Sequence, residues 1–179
     1  LRVARFAARM GSSVDDATRS AILEDNQLID VSHERIKEEV LKGIKQAESV
    51  MDFFEIIADL DLMGQVFPRL TVTTKIIESI RHPSYILAQL LIDNNPKQTK
   101  KVLKSMAYSN DITDQVEFLL NFFAIDHRTA PALKKVFKRL KISPDLLQPF
   151  ADPHTVSTFS KFTTLPPAAN PRDLMAQGL

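Results

Sequence analysis

The spacing of apolar residues constrains the fold of this chain more than any other feature of its sequence. Between short turns, apolar side chains recur at three- and four-residue steps, which is the period of an α-helix with one buried face. Only four of the 179 residues are glycine, and neither Asn-Gly nor Asp-Gly, the strongest signals of a tight β-hairpin, occurs. The sequence therefore predicts an all-α protein.

Residues that favour helix N-termini suggest where the helices begin. Ser32 and Ser49 each precede a strongly periodic segment, and Ser13 starts a capping-box spacing before a helix that ends near Glu24. Apolar spacing predicts further helices over residues 73–80, 84–92, 99–106, 113–125 and 131–140. From Ser143 onward lie six of the ten prolines, so we expect an irregular connector over residues 143–170.

The first eleven residues predict a helix with two different faces. Gly11 follows it where a left-handed residue ends a helix. One face carries the arginines at positions 2, 5 and 9, and the other carries apolar residues that we expect to pack on the next helix: Val3, Phe6, Ala7 and Met10. Because the chain begins inside this helical pattern, we expect it to be a piece of a longer polypeptide.

Composition excludes several classes of protein. The chain has no cysteine, which excludes a disulfide scaffold and a thiolate metal site and suits a cytoplasmic location. The hydrophobic fraction of 44% is ordinary, and no apolar run approaches the ~20 residues that a membrane-spanning helix needs. We therefore expect no membrane partner.

The residue patterns of common active sites are missing. The chain has no glycine-rich phosphate loop, no His-Glu-x-x-His motif and no calcium-binding loop. Asp59 and Asp61 have the spacing of a metal-binding carboxylate pair, but they lie at the end of an amphipathic helix and fit a solvated helix terminus better. The four histidines are far apart in sequence. We therefore expect neither catalytic nor metal-binding residues in this chain.

Positive charge is concentrated in the second half of the chain. Residues 1–95 carry 11 basic and 15 acidic side chains, whereas residues 96–179 carry 12 and 7. Two basic clusters contain no acid. Two interpretations of them stay open: the solvated face of a surface helix, or a track for the phosphates of a nucleic acid. The candidate RNA-binding residues are Lys97, Lys100, Lys101, Lys104, Lys134, Lys135, Lys138, Arg139 and Lys141.

Four blocks of the sequence resemble the tRNA nucleotidyltransferase and poly(A) polymerase family, which includes the CCA-adding enzymes. Residues 1–11 are similar to the family's Arg-x-x-Arg-x-x-Arg-Phe-Ala helix, and residues 31–39 to its Ser-x-Glu-Arg-Ile-x-x-Glu helix start. Residues 60–68 resemble its Gly-Leu-Leu-x-x-Leu-Phe-Pro block, with Asp61 where glycine is common. Residues 173–179 resemble the Asp-Leu-Met-x-x-Gly start of the family's tail.

The resemblance implies an all-α neck, body and partial tail of an enzyme that adds nucleotides to the tRNA 3′ end without a template. Residues 1–68 would form the neck, 69–142 the helical body, 143–170 a connector and 171–179 the start of the tail. The head, with its Mg²⁺-binding carboxylates, and the Asp and Arg that read the incoming CTP or ATP base would precede Leu1. Arg2 and Arg5 match the second and third arginines of the neck motif, which implies either contact with the nucleotide or support of the neck.

By this resemblance the chain alone binds tRNA and is inactive as an enzyme. Whether the parent adds CCA, part of it or poly(A) is left open, and so is the oligomeric state. Two alternatives also stay open at this stage: a stand-alone helical RNA-binding module, and a helical protein-interaction domain whose lysines only face solvent.

Overall fold

The described part of the chain is all-helical. The computed structural model describes residues 1–124, 137–140, 142–143, 146–147 and 152–164, and among these there is no β-strand. Residues 137–140 are also helical. In chain order the helices are α1 (Arg2–Arg9), α2 (Asp16–Glu24), α3 (His33–Gln46), α4 (Val50–Asp59), α5 (Met63–Val66), α6 (Pro83–Leu90), α7 (Pro96–Ser105), α8 (Asn110–Ala124) and α9 (Pro153–Thr164).

Local capping determines where several of these helices begin. The side chain of Ser32 accepts a hydrogen bond from the Arg35 N–H, and that of Ser49 accepts one from the Asp52 N–H, so both predicted caps are confirmed. The prediction of a cap at Ser13 is wrong. Asp15 caps α2 instead, and its Oδ1 accepts a hydrogen bond from Thr18 N at 3.0 Å. Its negative charge is also stabilised by the positive N-terminal end of the helix dipole.

Helices α1, α3 and α4 pack against one another and form the first part of the core. Helices α3 and α4 approach closely at Gly43, where a Cβ atom would lie 2.2 Å from the ring of Phe53. Phe53 is completely buried and meets Phe54 edge to face, with ring centroids 5.0 Å apart. A side chain at position 43 would therefore push these two helices apart.

The buried face of α1 differs from the one that its apolar residues predict. Its buried residues are Ala4, Arg5, Ala7 and Ala8, whereas the exposed fractions of Val3, Phe6 and Met10 are 39%, 44% and 69%. Small side chains allow α1 to lie close to α3 and α4, and the larger apolar residues then face outward. Of the predicted packing face, only Ala7 is buried.

Helices α6, α7 and α8 form the second part of the core, and α3 joins the two parts by packing against α6. An aromatic cluster extends this core beyond α8. The ring of Phe122 meets that of Phe159 at 5.0 Å, and Phe137 meets Phe118 at 5.8 Å and Phe159 at 5.3 Å. Phe159 is completely buried, so α9 is fixed to the body by a core residue.

The expected helix over residues 73–80 is wrong, because this segment is irregular. Its backbone is bonded to α6. Thr73 N donates to Leu90 O at 2.9 Å, and Gln89 Oε1 accepts from Ile77 N at 2.7 Å. Just before the segment, Asn94 Oδ1 accepts from Thr71 N at 2.9 Å. Four consecutive residues, 71–74, are β-branched, which lowers helix propensity, and the amides satisfy the backbone groups in another way.

Glu78 in this irregular segment holds the N-terminus of α4. Its carboxylate accepts hydrogen bonds from Met51 N at 2.8 Å, Val50 N at 2.9 Å and Ser49 Oγ at 3.1 Å. Burial raises the pKa of Glu78, but these hydrogen bonds and the charge of Arg81 outweigh it, so its pKa lies below its usual range. Glu78 thus attaches the irregular segment to the N-terminus of α4.

The expectation of an irregular connector is wrong for Pro153–Thr164, which form helix α9. Asp152 begins this helix by accepting hydrogen bonds from Thr155 N at 3.0 Å and Thr155 Oγ1 at 2.6 Å. The prolines suggested irregular structure, but Pro153 occupies the first helical position, where its missing N–H costs nothing. The expected tail over residues 171–179 lies outside the described residues.

Three helices end with a residue in the left-handed conformation. Gly11 follows α1 with φ 58°, as predicted. Asp61 after α4 and Ala107 after α7 have φ 53° and 63°, although neither is glycine. After α7, the N–H of residue 107 bonds to Lys104 O at 3.1 Å and Tyr108 N bonds to Leu103 O at 3.1 Å, which is the paired bonding of a Schellman motif. Within the residues that the structure describes, no helix has the length and apolarity needed to cross a bilayer.

Candidate nucleic-acid interface

Helix α7 presents lysines to solvent because its other face is buried. Asn95 Oδ1 caps the helix by accepting from Lys97 N at 3.1 Å and Gln98 N at 3.2 Å. Thr99 and Leu103 are buried and orient the helix. Three of the four predicted lysines are exposed and share one face, which we call the α7 lysine face: Lys97, Lys101 and Lys104.

Lys100 is only partly exposed and is paired with two acidic residues of α8. Its Nζ lies 2.7 Å from Asp114 Oδ1 and 2.6 Å from Glu117 Oε2, and its side chain is 25% exposed. Hydrogen bonds from Lys100 to Asp114 and Glu117 raise its pKa and keep it charged. Lys100 therefore joins two helices, and it is less suited to bind a phosphate than its three neighbours are.

A cleft runs beside the α7 lysine face. It measures about 510 Å³ and lies between α7 and the turn that follows α5. We call it the α7 cleft, and its lining residues are Pro68, Arg69, Gln98, Lys101, Val102 and Ser105. Two of its lining residues are cationic, Lys101 from α7 and Arg69 from the turn, and none is acidic.

Arg69 was not among the residues that the sequence singled out. It has a left-handed backbone with φ 63°, and its carbonyl accepts a bond from Gln98 Nε2 at 3.5 Å. The buried Phe67 two residues earlier anchors the turn in the core. Pro68 was the available signal, because proline is favoured at the second position of a β-turn, and Leu70 N donates to Phe67 O at 3.2 Å across this turn.

Arg5, one of the two candidate neck arginines, is buried and bonded to α3. Its Nε lies 2.8 Å from Glu39 Oε2, and its Nη1 donates to Gln46 Oε1 at 3.3 Å. Its guanidinium also lies 4.3 Å from the centroid of the Phe6 ring. Arg5 therefore holds α1 against α3.

Arg2 is exposed and lines a different cleft, of about 450 Å³, between α1 and α3. This cleft also holds Glu38 and Glu39, so its charge is mixed. Because α1 packs on α3 and α4 whereas α7 packs on α8, Arg2 and Arg5 lie beside different helices from the α7 lysines, although all of these helices share one core.

The second basic cluster is described only in part. Lys138 and Arg139 are exposed, next to the buried Phe137. Lys134, Lys135 and Lys141 lie outside the described residues. Lys138 and Arg139 are therefore available to a polyanion.

Acidic residues form no metal site in the part of the chain that is described. Asp59 and Asp61 are exposed at the end of α4, as expected for a solvated helix terminus. Asp52, Glu55 and Asp59 line a further cleft of about 250 Å³. No set of three or more His, Asp or Glu side chains among the described residues is placed to hold a metal ion.

Comparisons with protein-family models, with curated proteins and with solved structures find no match to this chain. The class that the structure defines is an all-α chain with a lysine-rich face beside an acid-free cleft.

Proposed function

We propose that this chain is the helical RNA-binding portion of a template-independent nucleotidyltransferase that adds or repairs the CCA end of tRNA. The observation that carries the proposal is the α7 lysine face. Among the described residues, none of its three lysines forms an ion pair, whereas Lys100 in the same helix forms two. Three unpaired cations on one rigid face favour a polyanionic partner.

The geometry of α7 suits a nucleic-acid backbone. At 1.5 Å per residue, the Cα atoms of Lys97 and Lys104 lie about 10 Å apart along the helix. Lysines so spaced can neutralise successive phosphates of one strand, and each neutralised phosphate releases counterions. Three contacts to single-stranded RNA give a slope of about −2 in a plot of log affinity against log salt concentration.

The resemblance of residues 1–68 to the nucleotidyltransferase neck specifies which polyanion we propose. The proposed partners are tRNA for this chain, and CTP and ATP for the head of the parent enzyme, acting in the cytoplasm. This chain positions the tRNA, and Arg5 stiffens the neck through Glu39. In the part of the chain that the structure describes, no cluster of three or more acidic or histidine side chains is placed to bind a metal ion near a triphosphate.

A binding titration tests the proposal. Labelled tRNA is titrated with the chain at about 50 and 200 mM salt, where phosphate contacts lose affinity steeply. Replacing Lys97, Lys101 and Lys104 by Glu should weaken binding at least about tenfold. A matched control replaces three exposed lysines elsewhere, Lys45, Lys75 and Lys161, by Glu and changes the net charge equally. Equal losses in both variants would contradict a specific role for the α7 lysine face.

A second experiment concerns catalysis. Purified chain with tRNA, CTP, ATP and Mg²⁺ should transfer no nucleotide, because the residues that bind the metal ions belong to the head. Transfer by homogeneous protein would show that the carboxylates of the site lie in this chain.

A second candidate function is a helical protein-interaction domain, favoured by the exposed apolar residues of α1. Val3, Phe6 and Met10 are all at least 39% exposed and lie on one side of the helix. This reading predicts no tRNA binding even at the lower salt concentration. A stand-alone RNA-binding module predicts salt-dependent tRNA binding, as the nucleotidyltransferase proposal does. The coding sequence upstream of Leu1 separates these two, because only the nucleotidyltransferase proposal requires a catalytic head there.

A further inference from the structure

The α7 cleft combines the three kinds of contact that one nucleotide needs. Arg69 and Lys101 supply positive charge from the turn and from the helix, respectively. Gln98 and Ser105 supply neutral polar groups, and Pro68 and Val102 supply apolar surface. Its volume of about 510 Å³ lies within the usual range for small-molecule sites.

The two other clefts described above are less suited to a phosphate. The cleft beside Arg2 contains Glu38 and Glu39, and the cleft beside Gly11 contains Asp52, Glu55 and Asp59. A carboxylate next to a bound phosphate is unfavourable because the two like charges repel. The α7 cleft has no acidic lining residue.

Two side-chain oxygens of the α7 cleft are able to accept a hydrogen bond from a ligand. The hydroxyl of Ser105 donates to Val102 O at 2.7 Å, so its oxygen can accept a further bond. The Nε2 of Gln98 donates to Arg69 O at 3.5 Å, which leaves Oε1 as an acceptor. A ligand that donates from hydroxyl groups matches this arrangement, and the ribose 2′-hydroxyl is such a donor, which DNA lacks.

We propose that the α7 cleft binds one nucleotide of an RNA strand. The phosphate binds Arg69 and Lys101, the 2′-hydroxyl donates to Gln98 or Ser105, and Val102 contacts the sugar and base. This inference rests on the proposed function, because it assumes that the chain binds RNA, but it goes further. It predicts that the protein distinguishes RNA from DNA, which lysines alone cannot do.

The first test changes the ligand and leaves the protein intact. The full chain is titrated with a single-stranded RNA of about 12 nucleotides, with DNA of the same sequence and with the fully 2′-O-methylated RNA. RNA should bind about tenfold more tightly than the other two strands, since both lack the donor. Equal affinity for all three strands would overturn the nucleotide site while leaving the proposed RNA binding in place.

The second test changes the cleft. Gln98→Leu with Ser105→Ala should lower RNA affinity about tenfold and leave DNA affinity unchanged. A matched pair, Lys97→Gln with Lys104→Gln, lies on the same helix outside the cleft and should weaken RNA and DNA alike. If the cleft variant lost RNA and DNA affinity equally, the assignment of the 2′-hydroxyl would be wrong. Absence of RNA binding by the unmodified chain would refute the proposed function itself.

Discussion

Lys100 and Lys101 are adjacent in sequence, but the structure predicts opposite effects for their substitution. Lys100→Gln removes two charge-assisted hydrogen bonds of 2.7 and 2.6 Å to Asp114 and Glu117. It also leaves these two carboxylates three residues apart on α8 without a neutralising charge. Exposed ion pairs contribute ~0.2–1 kcal/mol each and hydrogen bonds to charged groups ~1.5–3 kcal/mol. At about one-quarter exposure of all three side chains, we expect a loss of about 2 kcal/mol.

Thermal unfolding followed by circular dichroism measures this loss. For a chain of this length, about 2 kcal/mol lowers Tm by about 4–8 °C. Because the pKa of Lys100 is raised, its contribution is fully present below the usual value of 10.5 and is lost only as the pH rises through the higher folded pKa. The full difference should therefore be visible at neutral pH.

Lys101→Gln is the matched control, because it makes the same chemical change one position away on an exposed side chain. It should leave the free energy of unfolding unchanged within about 0.5 kcal/mol and weaken tRNA binding. Lys100→Gln should leave tRNA binding almost unchanged. The reasoning is refuted if Lys101→Gln lowers the free energy of unfolding as strongly as Lys100→Gln does. It is also refuted if Lys100→Gln weakens tRNA binding more than Lys101→Gln does and leaves Tm unchanged.

Three further predictions concern the helix contacts and are measured by urea unfolding. Glu78→Gln should cost about 1–2 kcal/mol at neutral pH. Since the pKa of Glu78 is lowered, its contribution is present above 4.5 and disappears as the pH falls through the folded pKa, so the two proteins should converge in acid. Gly43→Ala should cost about 1–3 kcal/mol because its methyl group would meet the buried ring of Phe53; an unchanged midpoint would show that α3 and α4 separate easily. Arg5→Gln should cost about 2 kcal/mol, whereas Arg2→Gln on the exposed face should be nearly neutral.

The sequence was sufficient to predict the helical class and those boundaries that depend on a few neighbouring residues. Ser32 and Ser49 cap helices through hydrogen bonds that span three residues, so the signal and its effect are both local. The same holds for Gly11. The segment over residues 73–80 could not be predicted in this way, because its backbone is held by Gln89 and Leu90 of α6, which are distant in sequence.

For the candidate interface, the sequence predicts the positive charge of α7 but not the three-dimensional contacts of its residues. The sequence places lysines on α7, but the partners that occupy Lys100 lie on α8, and Arg69 reaches the cleft through a turn. On α1, the size of Phe6 suggested a buried position. Close helix packing requires small residues instead, so the alanines are buried and Phe6 is half exposed.

The left-handed conformation of Ala107 means that the length of α7 is imposed by its surroundings. The left-handed conformation of Ala107 is about 1–2 kcal/mol less favourable than the right-handed helical one. The local sequence alone therefore favours continuing the helix beyond Ser105. What stops it is the burial of Tyr108, which is 5% exposed, and the bond from its N–H to Leu103. The far end of the α7 cleft, at Ser105, therefore exists only while the core beneath it is packed, so that the shape of this surface depends directly on the folded state of the interior.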